Sequence, residues 1–127
     1  MLWMQNHPHP SVQVSIRHAI QYCDKDGLLG SLHNVRYSEN QGTRASAAWS
    51  IGFIGQHPDM SVPALATALK DPNALVRENA VEALGKFGTN SLSASNAIRA
   101  LTNDPARGVR RAATNTLKQL LGNELTK

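Results

Sequence analysis

Five histidines, one cysteine and a pair of near-adjacent aspartates are the residues of this chain whose types could do chemistry. His7 and His9 alternate with Pro8 and Pro10, a spacing that could hold a metal weakly. A zinc site needs three or four ligands, and no neighbouring cysteine or carboxylate completes the set. The same run reads as a proline-rich lead-in to a helix. His18, His33 and His57 complete the histidines. Cys23 falls on the apolar stripe of the first expected helix, where a thiol packs as a small hydrophobe, and no histidine is indicated to activate it. Asp24 and Asp26 flank Lys25 in a turn, where capping accounts for them. The sequence holds no phosphate-cradling glycine loop and no convincing acid–base pair. We therefore expect no catalytic residue, no metal and no cofactor, and look for function in shape and surface.

The elements that carry the surface are set by an internal repeat. The run Asp71-Pro72-Asn73-Ala74-Leu75-Val76-Arg77, continuing through Ala80 to Ala83-Leu84-Gly85, recurs 33 residues later as Asp104-Pro105, Val109-Arg110, Ala113 and Leu117. The same step backward meets Arg44, Ala47, Ile51, Gly52 and Gly55. Periods of this length mark stacked helical hairpins. A degenerate copy over residues 8–23 carries Val12, Ile16, Ile20 and Cys23 at the spacing of one helix face. Between the long helices, Leu28, Leu32 and Val35 share a face, as do Leu65 and Leu69, and Ala97 and Leu101. Asn40, Ser61 and Asn73 stand where side-chain N-caps are wanted, with Pro63 in a first turn. Gly55, Gly88 and Gly122 stand just past expected helix ends. The pattern predicts seven helices: one long helix, then three short–long pairs at 27–55, 61–88 and 93–121. One hairpin cannot bury both of its faces, so hairpins stack around a shared core.

The run Leu65-x3-Leu69-x-Asp71-Pro72-x3-Val76-Arg77-x2-Ala80-x2-Ala83-Leu84-Gly85 resembles HEAT repeats, and within them the subclass first named for phycobilisome lyases. The resemblance covers about residues 28–121 and extends weakly over 8–23. It implies an all-α superhelical solenoid of about three and a half repeats, forming one domain over 1–127, whose second helices line a concave side. Most such proteins bind other proteins, so a scaffold or adaptor role is expected. Arg44, Arg77 and Arg110 match the family's repeat arginine, which bonds neighbouring turns and helix ends. Asp71 and Asp104 read as turn and capping residues. The subclass also implies an alternative, a bilin-lyase-like or chaperone-like subunit acting on a tetrapyrrole-carrying protein. The family's iron-dependent hydroxylases carry His-Glu pairs, and this sequence has no His-Glu dipeptide.

Comparison of equivalent positions points to binding residues. Glu82 of the regular repeat corresponds to Asn115 in the last and to Trp49 in the first full repeat; Lys86 corresponds to Gln119 and Phe53. Two solvent-type positions, four residues apart on one helix face, are aromatic in one repeat only. Large apolar groups there need cover. The N-terminal segment with Trp3, a second copy of the chain, or a partner protein anchored on Trp49 could each supply it. Arg107, Arg111 and Lys118 form a second candidate, a basic stripe on the last helix with Asn115 between them. It could dock an acidic protein or, as a further alternative, nucleic acid.

Composition supports a packed helical core. Of 127 residues 41% are apolar but only 5% aromatic, so Ala, Leu, Ile and Val must fill the interior. The net charge of +4 arises entirely in residues 95–127, which hold six Lys/Arg against two Asp/Glu. A lone cysteine forms no internal disulfide, which suits a reducing, cytoplasmic setting. No apolar stretch approaches a membrane span, and Met1-Leu2-Trp3-Met4 is too short for a signal-peptide core. The first expected helix lacks its hairpin partner. Its apolar Val12, Val14 and Ile16 are unlike a polar solenoid cap, which suggests either a longer solenoid or a homodimer through that end.

Overall fold

The structure is a computed structural model that describes residues 27–125. Among them are six α-helices and no strand: α1 (Leu28–Tyr37), α2 (Gln41–Ile54), α3 (Pro58–Ala68), α4 (Ala74–Lys86), α5 (Ser95–Ala100) and α6 (Arg107–Leu125). Helices α1, α3 and α5 each pack on the longer helix that follows. The longer helices α2, α4 and α6 pack on one another in sequence, with α4 in the middle. The result is three hairpins in two layers, an all-α stack. The degenerate copy over 8–23, with its Cys23, His7, His9 and His18, lies outside the described residues.

The apolar spacing explains the core. Leu28, Leu32 and Val35 bury one face of α1. Ile51, Leu65, Val76, Val81, Leu84, Ile98 and Val109 are fully enclosed between the layers. Each such side chain contributes about 1.5–3 kcal/mol on leaving water, and only the neighbouring hairpin completes the enclosure. Small residues set the distance between long helices. A methyl group added at Gly52 would lie 2.7 Å from the Ala83 Cα, so α2 and α4 touch almost backbone to backbone.

The long helices begin in one way. Asn40 and Asn73 are N-caps whose Oδ1 atoms accept from the Thr43 and Val76 amides, both at 3.1 Å. At the third start the register position is Ala106, which has no side chain to cap α6; its amide donates to Asp104 Oδ1, as the Asn73 amide does to Asp71 Oδ1. Gly55 and Gly88 take the left-handed conformation that ends α2 and follows α4.

Three local expectations are corrected. Helix α3 starts at Pro58, earlier than the expected cap Ser61, because Pro58 itself is pre-organised for the first turn and His57 enters with φ 52°. Ser61 lies buried inside the helix and donates from its hydroxyl to the Gln56 carbonyl at 2.9 Å. Gly122 is not a stop: α6 runs through it to Leu125, where the register of the earlier glycine ends no longer holds. The expected single short helix of the third pair is broken into a 3₁₀ segment Gly88–Ala94, the short α5 and a 3₁₀ turn Leu101–Asn103. The buried Ser91 hydroxyl, donating to the Leu84 carbonyl at 2.6 Å, ties this segment to the end of α4.

Candidate interaction surface

Arginine–aspartate rungs tie the hairpins together along the inter-helix turns. Arg44 donates from Nε and Nη2 to the two carboxylate oxygens of Asp71, at 2.8 and 3.2 Å. Arg77 does the same to Asp104, at 2.9 and 3.0 Å. In each case Nη1 turns back to two carbonyls of its own hairpin: Ser38 and Glu39 for Arg44, Asp71 and Pro72 for Arg77. Each aspartate also closes its own turn by accepting from an amide two residues on, Asn73 or Ala106. Burial works to raise the pKa of Asp104. The Arg77 hydrogen bond, the Ala106 amide and the charges of Arg77 and Arg110 outweigh it and hold the carboxyl below its ordinary value.

Side-chain bonds to backbone carbonyls stitch the long helices themselves. Asn79 donates to the Ala45 carbonyl, Gln119 to that of Gly85, and Thr116 to that of Val81. No buried side-chain nitrogen or oxygen among the described residues lacks a partner.

Where the three long helices share an outward face, their side chains differ in kind. Trp49 and Phe53 on α2 stack with ring centroids 5.1 Å apart and planes 11° from parallel. They stay 56% and 73% exposed. On α4 and α6, Glu82, Lys86, Asn115 and Gln119 surround an open depression floored by Ala112 and Thr116. Glu82 and Lys86 are thus brought beside Asn115 and Gln119, and Gln119 already spends its amide on Gly85. Tyr37 and Leu75 are also exposed, at 68% and 53%, and carried no signal in the repeat comparison.

A family model described as HEAT repeats matches residues 28–118. The chain belongs to the HEAT-repeat family. A search of curated proteins finds no match. HEAT repeats generally serve as protein-interaction scaffolds, and no helix among the described residues is long and apolar enough to cross a membrane. Among the described residues no three His, Cys, Asp or Glu side chains converge as a metal site would require.

The basic stripe of the last HEAT hairpin is placed in two parts. Arg107 and Arg111 line an open depression together with Arg110, Thr102, Thr114 and Asn115. Lys118 is exposed further along α6 and does not line it. Arg110 joins this group, and among the described residues no carboxylate pairs with it as Asp71 and Asp104 pair with Arg44 and Arg77.

Proposed function

We propose that this HEAT-repeat chain is a protein-interaction module that seats a partner polypeptide on the face of its long helices, anchored by Trp49 and Phe53. The observation that carries the reading is the exposed aromatic stack at positions which the other two repeats fill with Glu82 and Lys86, or Asn115 and Gln119. A rigid, pre-stacked pair loses little entropy on binding and offers a large apolar area, the usual make-up of an interface hot spot. The mixed charge and amide groups of α4 and α6 supply the polar flank of the same groove, the concave side of a HEAT solenoid.

The test is Trp49→Glu and Phe53→Glu beside the wild type. Both variants keep helicity and melt within about 2 °C of wild type, as surface substitutions do, while partner capture is lost. A fall of several degrees in melting temperature would instead assign the pair to an internal cover. Light scattering that changes with concentration in wild type but not in Trp49→Glu would make the cover a second copy. The subclass resemblance around Asp71-Pro72 and Ala83-Leu84-Gly85 supports the alternative of a bilin-lyase-like subunit. A visible absorbance shift on incubation with bilin would favour that alternative.

A further inference from the structure

Among the described residues the Arg–Asp ladder has three arginines and two aspartates. Arg110 holds the pose of Arg44 and Arg77, its Nη1 donating to the Asp104 and Pro105 carbonyls at 2.8 and 3.0 Å. Those bonds match the 2.8 and 3.0 Å of Arg77 to its own turn. In the two earlier rungs the same pose presents Nε and Nη2 as a fork to a carboxylate. At Arg110 no carboxylate among the described residues meets that fork. Asp104, whose charge Arg110 also stabilises, is taken up by Arg77. Arg110 is exposed and sits with Arg107 and Arg111 around one depression, with the hydroxyls of Thr102 and Thr114 and the amide of Asn115 on its rim.

The rest of that face differs in kind from the faces on which the hairpins stack. The positions through which α2 receives α4, and α4 receives α6, are Ala45, Ala48 and Gly52, then Glu78, Val81 and Gly85. A methyl group on Gly52 would run into Ala83 of the next helix, and one on Gly85 would touch Gln119 and Thr116. In α6 the same positions are Arg111, Thr114 and Lys118, all exposed. A lysine stands in the glycine position, and the row is exposed and polar. This end face of the described stack thus carries a pre-formed carboxylate fork among exposed polar side chains.

We propose that this end face is a second binding site, independent of the Trp49–Phe53 surface, which takes an extended acidic peptide segment of a partner protein. An aspartate or glutamate carboxylate of that segment completes the third rung on Arg110 Nε and Nη2, and Arg107 and Arg111 hold its acidic neighbours. Charge complementarity selects the occupant: three guanidinium groups converge, and bidentate carboxylate pairing is the use that the molecule itself makes of this arginine twice over.

The experiment is titration of the 127-residue chain with an oligo-aspartate peptide at low salt, beside an oligothymidylate of equal charge. The Arg110 Nε–Hε resonance shifts on adding the peptide. Arg110→Lys, which keeps the charge but loses the fork, and the double variant Arg107→Gln/Arg111→Gln each weaken peptide binding about tenfold, the loss of one or two charge-assisted bonds. Arg36→Gln, which changes net charge on the exposed side of α1, leaves it unaltered. The double variant removes side chains that make no bond to another described residue, so it reads binding even if Arg110→Lys proves unstable. Absence of peptide binding, equal weakening by Arg36→Gln, or no effect of the double variant overturns the proposal. Tighter binding of the oligothymidylate with the same resonance shift also overturns it, in favour of nucleic acid.

Discussion

Asp104 shows how much one side chain can be asked to do. Its side chain is 5% exposed, receives two bonds from Arg77, and closes the turn ahead of α6 through the Ala106 amide. Burial alone would favour the neutral acid, yet the donors around it favour the anion, so its folded pKa lies below the unfolded value of about 3.9. A lowered folded pKa stabilises the fold above the unfolded pKa, and that contribution is lost as pH falls through the folded pKa. Asp104→Asn keeps a side-chain oxygen for the Ala106 amide but removes the charge opposite Arg77. We expect it to cost about 1–3 kcal/mol at neutral pH, the range for a hydrogen bond to a charged group. Its thermal stability should also fall less steeply than that of wild type on acidification below about pH 4. Melting curves of both proteins across that range check the prediction; an unchanged acid slope would mean that another group carries it.

At the scale of the element, the three long helices differ in how they begin. Asn40 and Asn73 each satisfy an orphan amide of the first turn, while Ala106 has nothing to offer. Ala106→Asn should therefore stabilise the chain by about 0.5–2 kcal/mol, the usual worth of an N-cap. The gain is read as a raised denaturation midpoint with an unchanged slope. The preceding Asp104-Pro105 turn is the same as Asp71-Pro72, so the new side chain meets a backbone already shaped for it. A loss of stability would show that the third turn differs from the second in a way that the repeat conceals.

The described residues form a one-dimensional stack, and its middle hairpin is covered on both sides. Leu84 is fully enclosed, with α4 lying between α2 and α6. Leu117, its equivalent on α6, is only partly buried. Leu84→Ala should cost about 2–5 kcal/mol through lost burial and the cavity left behind. Leu117→Ala should cost clearly less, because the side chain is not enclosed and water replaces part of it. Urea denaturation of the two variants makes the comparison directly. Equal losses would contradict nearest-neighbour coupling as the source of stability.

Much of this was legible from residue types alone. The 33-residue recurrence of Asp-Pro, Val-Arg and Ala, with leucines at helical spacing, determined three stacked hairpins and which helix of each is long. Register identified Trp49 and Phe53 as misfits among polar neighbours, because a repeat makes every position a comparison. Tertiary structure decided what depends on partners distant in the chain. Arg44 and Arg77 each find their aspartate one turn further along the stack, a pairing that composition cannot reveal. Ser61 was drawn into the core and its carbonyl partner because Pro58 started the helix first. The third short helix broke into 3₁₀ turns anchored by Ser91, a compromise made by packing against α4 that local propensity does not encode. The open fork on Arg110 belongs to the same class: it is defined by the pose of a side chain and by what stands, or does not stand, across from it.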